Sequence, residues 1–76
     1  MKADSILDCY GLLCPVPIIN MKKELDKLKV GQVLEVVATD PGIEPDAQSW
    51  CKMTGNEYLG IEKNGEELKV FVRKKK

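Results

Sequence analysis

Residues 33–38, VLEVVA, are a short run dominated by β-branched side chains with a single charge. Such a run belongs in the interior of a sheet, so the rest of the chain must supply neighbouring strands and a layer to cover them. Only 76 residues are available, close to the lower size at which one apolar core holds a fold without metals or disulfides. A single domain spanning 1–76 is expected.

Upstream, Ile18, Met21, Leu25 and Leu28 recur at steps of three and four, with Lys22, Lys23, Glu24, Asp26 and Lys27 between them. That spacing predicts an amphipathic helix from Pro15 to the region before Gly31. Ile6 to Cys9, ahead of Gly11, reads as a first strand. Strand, helix and strand make a crossover unit whose strands run parallel and whose helix lies on one face. After TDPG, residues 39–42, a second helix is marked by Pro45 in its first turn and Gly55 just past its end, with Ile43, Ala47, Trp50, Cys51 and Thr54 along one side. YLGIEK and EELKVFV then flank Asn64-Gly65, the dipeptide of a type I′ hairpin. With those two residues as the turn, Lys63 faces Glu66, Ile61 faces Leu68 and Leu59 faces Val70. The fold class is therefore α+β: a two-layer α/β sandwich in the order β-α-β-α-β-β, with two helices on one face of a mixed four-stranded sheet. Tyr58, Glu62, Lys69 and Phe71 fall on the other, more open face.

Twelve basic and twelve acidic residues cancel, so the molecule has no net field to steer nucleic acid or an anionic membrane. The run Arg73, Lys74, Lys75, Lys76 is a local exception, and it reads as a solvated end. MKADSILD lacks the apolar core of a secretion signal, and no apolar run approaches the roughly 20 residues of a membrane span. A cytoplasmic location follows, where Cys9, Cys14 and Cys51 stay reduced.

Chemistry concentrates at DCYGLLCPVP, residues 8–17. Proline drives the residue before it to extended dihedral angles, so Cys14 suits a helix N-cap and Pro15 the first helical position. Pro17 then falls in the first turn, where a missing N–H breaks no intrahelical bond. The prolines are helix-entry devices that leave the Cys14 sulfur at the positive end of the helix dipole, which favours the nucleophilic thiolate. Cys51, in the apolar stripe of the second helix, reads as a buried small hydrophobe, and Trp50 beside it as core.

LDCYGLLCPVPI, residues 7–18, resembles the Leu-Asp-x-x-Gly-Leu-x-Cys-Pro-x-Pro signature of the TusA family of small sulfur carriers, also called SirA-like proteins. ATDPG, DAQSWCKMTGNEYL and the final hairpin are similar to the same family in order and spacing. The resemblance implies the β-α-β-α-β-β sandwich and a carrier role for Cys14. It would receive sulfane sulfur as a persulfide from a donor protein, a cysteine desulfurase or a rhodanese, and pass it to an acceptor protein. No cofactor, metal or membrane is implied. The chain has no histidine and hence no Cys/His pair, so a carrier served by partner enzymes fits better than a self-sufficient enzyme. Two features depart from the pattern. Leu13 stands where many members carry arginine, which alters the surface a partner meets. Cys9 is extra, either a passive cysteine at a strand end or a second thiol that pairs with Cys14 or resolves its persulfide. Two other classes compete. A metal module wants Cys-x-x-Cys or histidines, which are absent. A small RNA- or protein-binding α/β module without sulfur chemistry would use the sheet and the basic tail, but lacks a basic aromatic sheet motif.

Overall fold

The computed structural model describes residues 3–13 and 16–76. The elements are β1 (Ser5–Cys9), α1 (Val16–Asp26), β2 (Val33–Ala38), α2 (Ile43–Thr54), β3 (Glu57–Asn64) and β4 (Glu67–Arg73). The strands form one mixed sheet in the order β1-β2-β4-β3, with β1 parallel to β2 and the other pairs antiparallel. VLEVVA is thus interior, between β1 and β4, and its Leu34, Val36 and Ala38 are completely buried. They share a cluster with Met21 and Leu25 of α1, Ile43, Ala47 and Cys51 of α2, and Val70 and Val72 of β4, which puts both helices on the same face. Full burial of a Val-, Leu- or Met-sized side chain is worth about 1.5–3 kcal/mol, so this one interface carries most of what holds so short a chain together.

Helix α1 is described from Val16, and its expected first residue, Pro15, lies outside the described residues. Pro17, its second residue, is fully buried and opens the inward row Pro17, Met21, Leu25. The ring therefore packs as well as fixing the entry of the chain. The helix ends at Asp26, short of Leu28. There the Lys27 and Leu28 N–H groups donate to the carbonyls of Glu24 and Leu25, three residues back, tightening the last turn, while Leu28 still packs against the core. In α2 Pro45 is the third residue, and Gly55 closes the helix with φ 78°, its N–H donating to the Cys51 carbonyl at 2.9 Å.

Three expectations need correction. The hairpin pairs Asn64 with Glu67, Lys63 with Leu68 and Ile61 with Val70, two positions away from the register expected of an Asn64-Gly65 turn. The two-residue connection is Gly65-Glu66. Gly65 has φ 62° and no non-glycine residue has positive φ among the described residues, which is the pattern of a type II′ turn with glycine first. A shift of two preserves parity, so Ile61, Leu68 and Val70 still face the helices. Second, the register slips between Tyr58 and Gly60, where Leu59 bulges. The bulge turns Tyr58 from the open face to the helix face, against the core and beside Gln48 and Glu44 of α2. Phe71, by alternation, does lie on the open face, yet it is 1% exposed.

Third, the basic run is exposed only at Lys75 and Lys76, while Arg73 and Lys74 are half-buried and tied to the fold. Lys74 Nζ donates to the Leu28 carbonyl at 2.7 Å, just beyond the C-terminus of α1. Arg73 and Lys75 both pair with Glu57, and the Lys75 N–H donates to Asn56 Oδ1. Cations there complement the negative end of a helix. Among the described residues, no helix is long and apolar enough to cross a membrane.

Candidate functional site

Cys9 at the end of β1 pairs with Ala38 at the end of β2, so the loops leading into α1 and α2 lie at the same end of the sheet. The Gly11 N–H donates to Thr39 Oγ1 at 3.1 Å and ties them together. The first loop is built by its own residues. Asp8 Oδ1 accepts the Tyr10 N–H at 2.9 Å, and the Cys9 carbonyl accepts the Leu12 N–H at 3.1 Å. Gly11 occupies the third position of this turn with φ 79°, the left-handed angle that a type II turn requires. A Cβ there would meet nothing within 4 Å, so glycine is needed for its dihedral angle and not for space. Leu12 then packs against the core while Leu13 is 72% exposed. The Val16 N–H donates to the Leu13 carbonyl at 3.0 Å as α1 begins.

Cys14 and Pro15, the predicted reactive residue and first helical position, lie outside the described residues. What surrounds them in the chain is described. The first turn of α1 contains no acidic side chain, whereas that of α2 contains Glu44 and Asp46. The positive end of the α1 dipole thus meets no carboxylate on its own first turn, which suits a neighbouring thiolate.

Cys9 and Cys51 are free and buried. Burial pushes the Cys9 thiol up from its ordinary value, with Asp8 adding to the rise and a hydrogen bond with the Asn20 side chain opposing it. Burial raises Cys51 to about 11. Both have the properties of unreactive thiols, the reverse of what a resolving cysteine needs. Asn20 is a residue that sequence reasoning missed. Its place on α1 one turn after Val16, near the end of β1, emerges only once helix and strand are docked. Beside the loops, Pro41, Glu44, Ile61, Lys63 and Leu68 line a hollow of about 220 Å³, spanned by the Lys63–Glu44 ion pair at 3.6 Å.

Comparison with known proteins agrees with this geometry. The family model described as Sulfurtransferase TusA matches residues 5–74. YrkF of Bacillus subtilis (strain 168) is 53% identical over 74 residues, covering 97% of this chain, although the chain spans only 40% of that protein's length. YrkI of the same organism is 43% identical over 97% of this chain and 99% of its own. The sulfur carrier protein TusA of Allochromatium vinosum is 42% identical over 93% of each chain. Among solved structures, the SirA-like protein from Desulfitobacterium hafniense superposes with a TM-score of 0.76 at 28% identity, covering 95% of this chain and 99% of its own. Those matches take in both helices, all four strands and the loop from Asp8 to Leu13, and the chain belongs to the TusA family.

Proposed function

We propose that this chain carries sulfane sulfur on Cys14 within a reducing, cytoplasmic sulfur relay. The Cys14 thiolate attacks the terminal sulfur of a donor protein's persulfide. A new S–S bond forms to Cys14, the donor's S–S bond breaks, and its electron pair leaves on the donor cysteine as a thiolate. The sulfane sulfur keeps its proton, so one persulfide and one thiolate stand on each side of the step. An acceptor thiolate repeats the exchange at the sulfur now held by Cys14. The donor is a protein of cysteine desulfurase or rhodanese type and the acceptor a second protein.

One observation carries the reading beyond family membership. Of the three cysteines, Cys9 and Cys51 are buried with raised thiol pKa values, which argues against either as the carrier and supports assigning the role to Cys14, in the chain next to a first helical turn without acidic residues. Cys9 is accordingly a packing residue at the end of β1 and takes no part in turnover. The RNA-binding alternative draws less support from the tail, because Arg73 and Lys75 share the Glu57 carboxylate and Lys74 donates to the Leu28 carbonyl. Intact mass after incubation with a cysteine desulfurase and cysteine tests the proposal. A gain of one sulfur on the wild type and none on Cys14→Ser is expected, and equal loading of both proteins excludes Cys14 as the carrier.

A further inference from the structure

Residues 9–21 contain no Asp, Glu, Lys or Arg, the longest uncharged stretch in a chain that is 32% charged. Much of it is not core. Tyr10 is 59% exposed, Leu13 72%, Val16 42% and Ile19 50%, four of the seven large hydrophobic side chains left exposed among the described residues. Val16 and Ile19 are three apart on α1 and share one of its faces, and Leu13 and Val16 are joined by the hydrogen bond that opens the helix. Isolated exposed apolar residues need no explanation, but four grouped within ten positions of one loop and helix start do.

Their position relative to Cys14 identifies what covers them. In the sulfur exchange the attacked atom lies between two cysteine sulfurs, each about 2 Å away from it when bonded. The partner's cysteine must therefore come within bonding reach of residue 14. Leu13 is its covalent neighbour, and Val16 is two peptide units away, no more than about 7.6 Å between Cα atoms. A protein that exchanges sulfur at Cys14 therefore comes close to both of these exposed side chains. They offer no charge to pair with, and a charged group on the partner would be desolvated against them without compensation.

Resting on the carrier role proposed above, we propose that Tyr10, Leu13, Val16 and Ile19 form an uncharged docking collar that selects sulfur-exchanging proteins whose own reactive cysteine is flanked by apolar, uncharged side chains. Selection comes from apolar burial and from exclusion of charge, so it is insensitive to salt.

Synthetic pentapeptide persulfides supply the test without a natural partner. One has the reactive cysteine flanked by leucines, a second by glutamates and a third by lysines, and the rate of sulfur gain at Cys14 is read by mass. Burial of part of two leucine-sized surfaces predicts that the leucine peptide loads the wild type about fivefold faster than either charged one. That preference should persist in 0.5 M salt, expected here because neither side contributes charge. In Leu13→Gln and Ile19→Gln, neutral changes at exposed sites, the ratio should fall below about twofold for the double variant. Equal rates with all three peptides, a preference for the lysine or glutamate peptide, or a leucine preference that survives in the double variant would each overturn the collar while leaving the carrier role intact. Failure of every peptide to load Cys14 would instead overturn the carrier role and the collar with it.

Discussion

The two helices enter the molecule by the same device and use it differently. β1 and β2 run parallel and end side by side, and at each end an aspartate carboxylate accepts the N–H two residues on: Asp8, the penultimate residue of β1, from Tyr10 at 2.9 Å, and Asp40, just past β2, from Gly42 at 3.0 Å. Both helices carry a proline within their first three residues, Pro17 in α1 and Pro45 in α2. From there they diverge. The first turn of α2 places Glu44 and Asp46 on its own positive end, and Glu44 is also paired with Lys63. The first turn of α1 has no carboxylate and shows exposed Val16 next to the motif cysteine. One helix start carries carboxylates in its first turn and serves the fold. The other has none in its first turn among the described residues, the setting in which a neighbouring thiolate gains most.

This contrast can be broken at several points. Cys14→Ser should abolish sulfur transfer completely with little change in thermal unfolding, and transfer that persists on Cys9 or Cys51 would erase the distinction between site and core. Gly11→Ala forces a side chain into φ 79° and should cost about 1 kcal/mol or more, lowering the urea midpoint, because the loop into α1, unlike the one into α2 where Gly42 has φ −63°, depends on a left-handed residue. An unchanged midpoint would mean that the turn relaxes to another type.

The buried sulfurs supply a pH signature. The Cys51 thiol is raised from an ordinary 9.0 to about 11, so the native state holds a proton that the unfolded chain has lost. Its contribution is complete below pH 9.0 and disappears as pH rises through about 11. Stability should decline across that window, and the decline should be shallower in Cys51→Ala when unfolding is followed by circular dichroism at each pH.

Smaller effects separate the two helix starts directly. Val16→Glu, compared with the neutral Val16→Gln, should raise the Cys14 thiol pKa by about 0.2–0.7, the equivalent of 0.3–1 kcal/mol at a helix end. Glu44→Gln on α2 should leave that titration where it is. At the opposite end, Lys74→Met removes the cation from the Leu28 carbonyl, and a loss of about 0.5–1 kcal/mol is expected in chemical denaturation.

Most of the architecture was legible in the sequence because the signals were local and agreed with one another. VLEVVA required an interior position, the three-four spacing on α1 and α2 gave their buried faces, and Gly55 stopped α2 where a left-handed residue was needed. The misreadings share a physical cause. Dipeptide preference makes Asn64-Gly65 the turn, whereas the pairing that forms puts Gly65 first in the connection and leaves Asn64 in β3. The one local sign of the bulge at Leu59 is the glycine that follows it, Gly60 with φ 152°, and once the bulge is present Tyr58 reverses face. The tail looked like a solvated cationic end because its acceptors, the Leu28 carbonyl and Glu57, lie 46 and 16 or more positions away in the chain. At the site, the Asp8, Gly11 and Leu12 positions of the signature now have separate jobs: accepting an N–H, supplying a left-handed turn and anchoring the loop to the core.

The most direct test of the difference between the site sulfur and the buried ones is the pH dependence of alkylation by iodoacetamide under native conditions, with the modified residue located by peptide mass. A single label on Cys14, with a rate midpoint below the ordinary thiol value of 9.0, is the predicted result. A midpoint at or above that value, or label shared with Cys9 or Cys51, would contradict the claim that the start of α1 activates one cysteine while the core silences the other two.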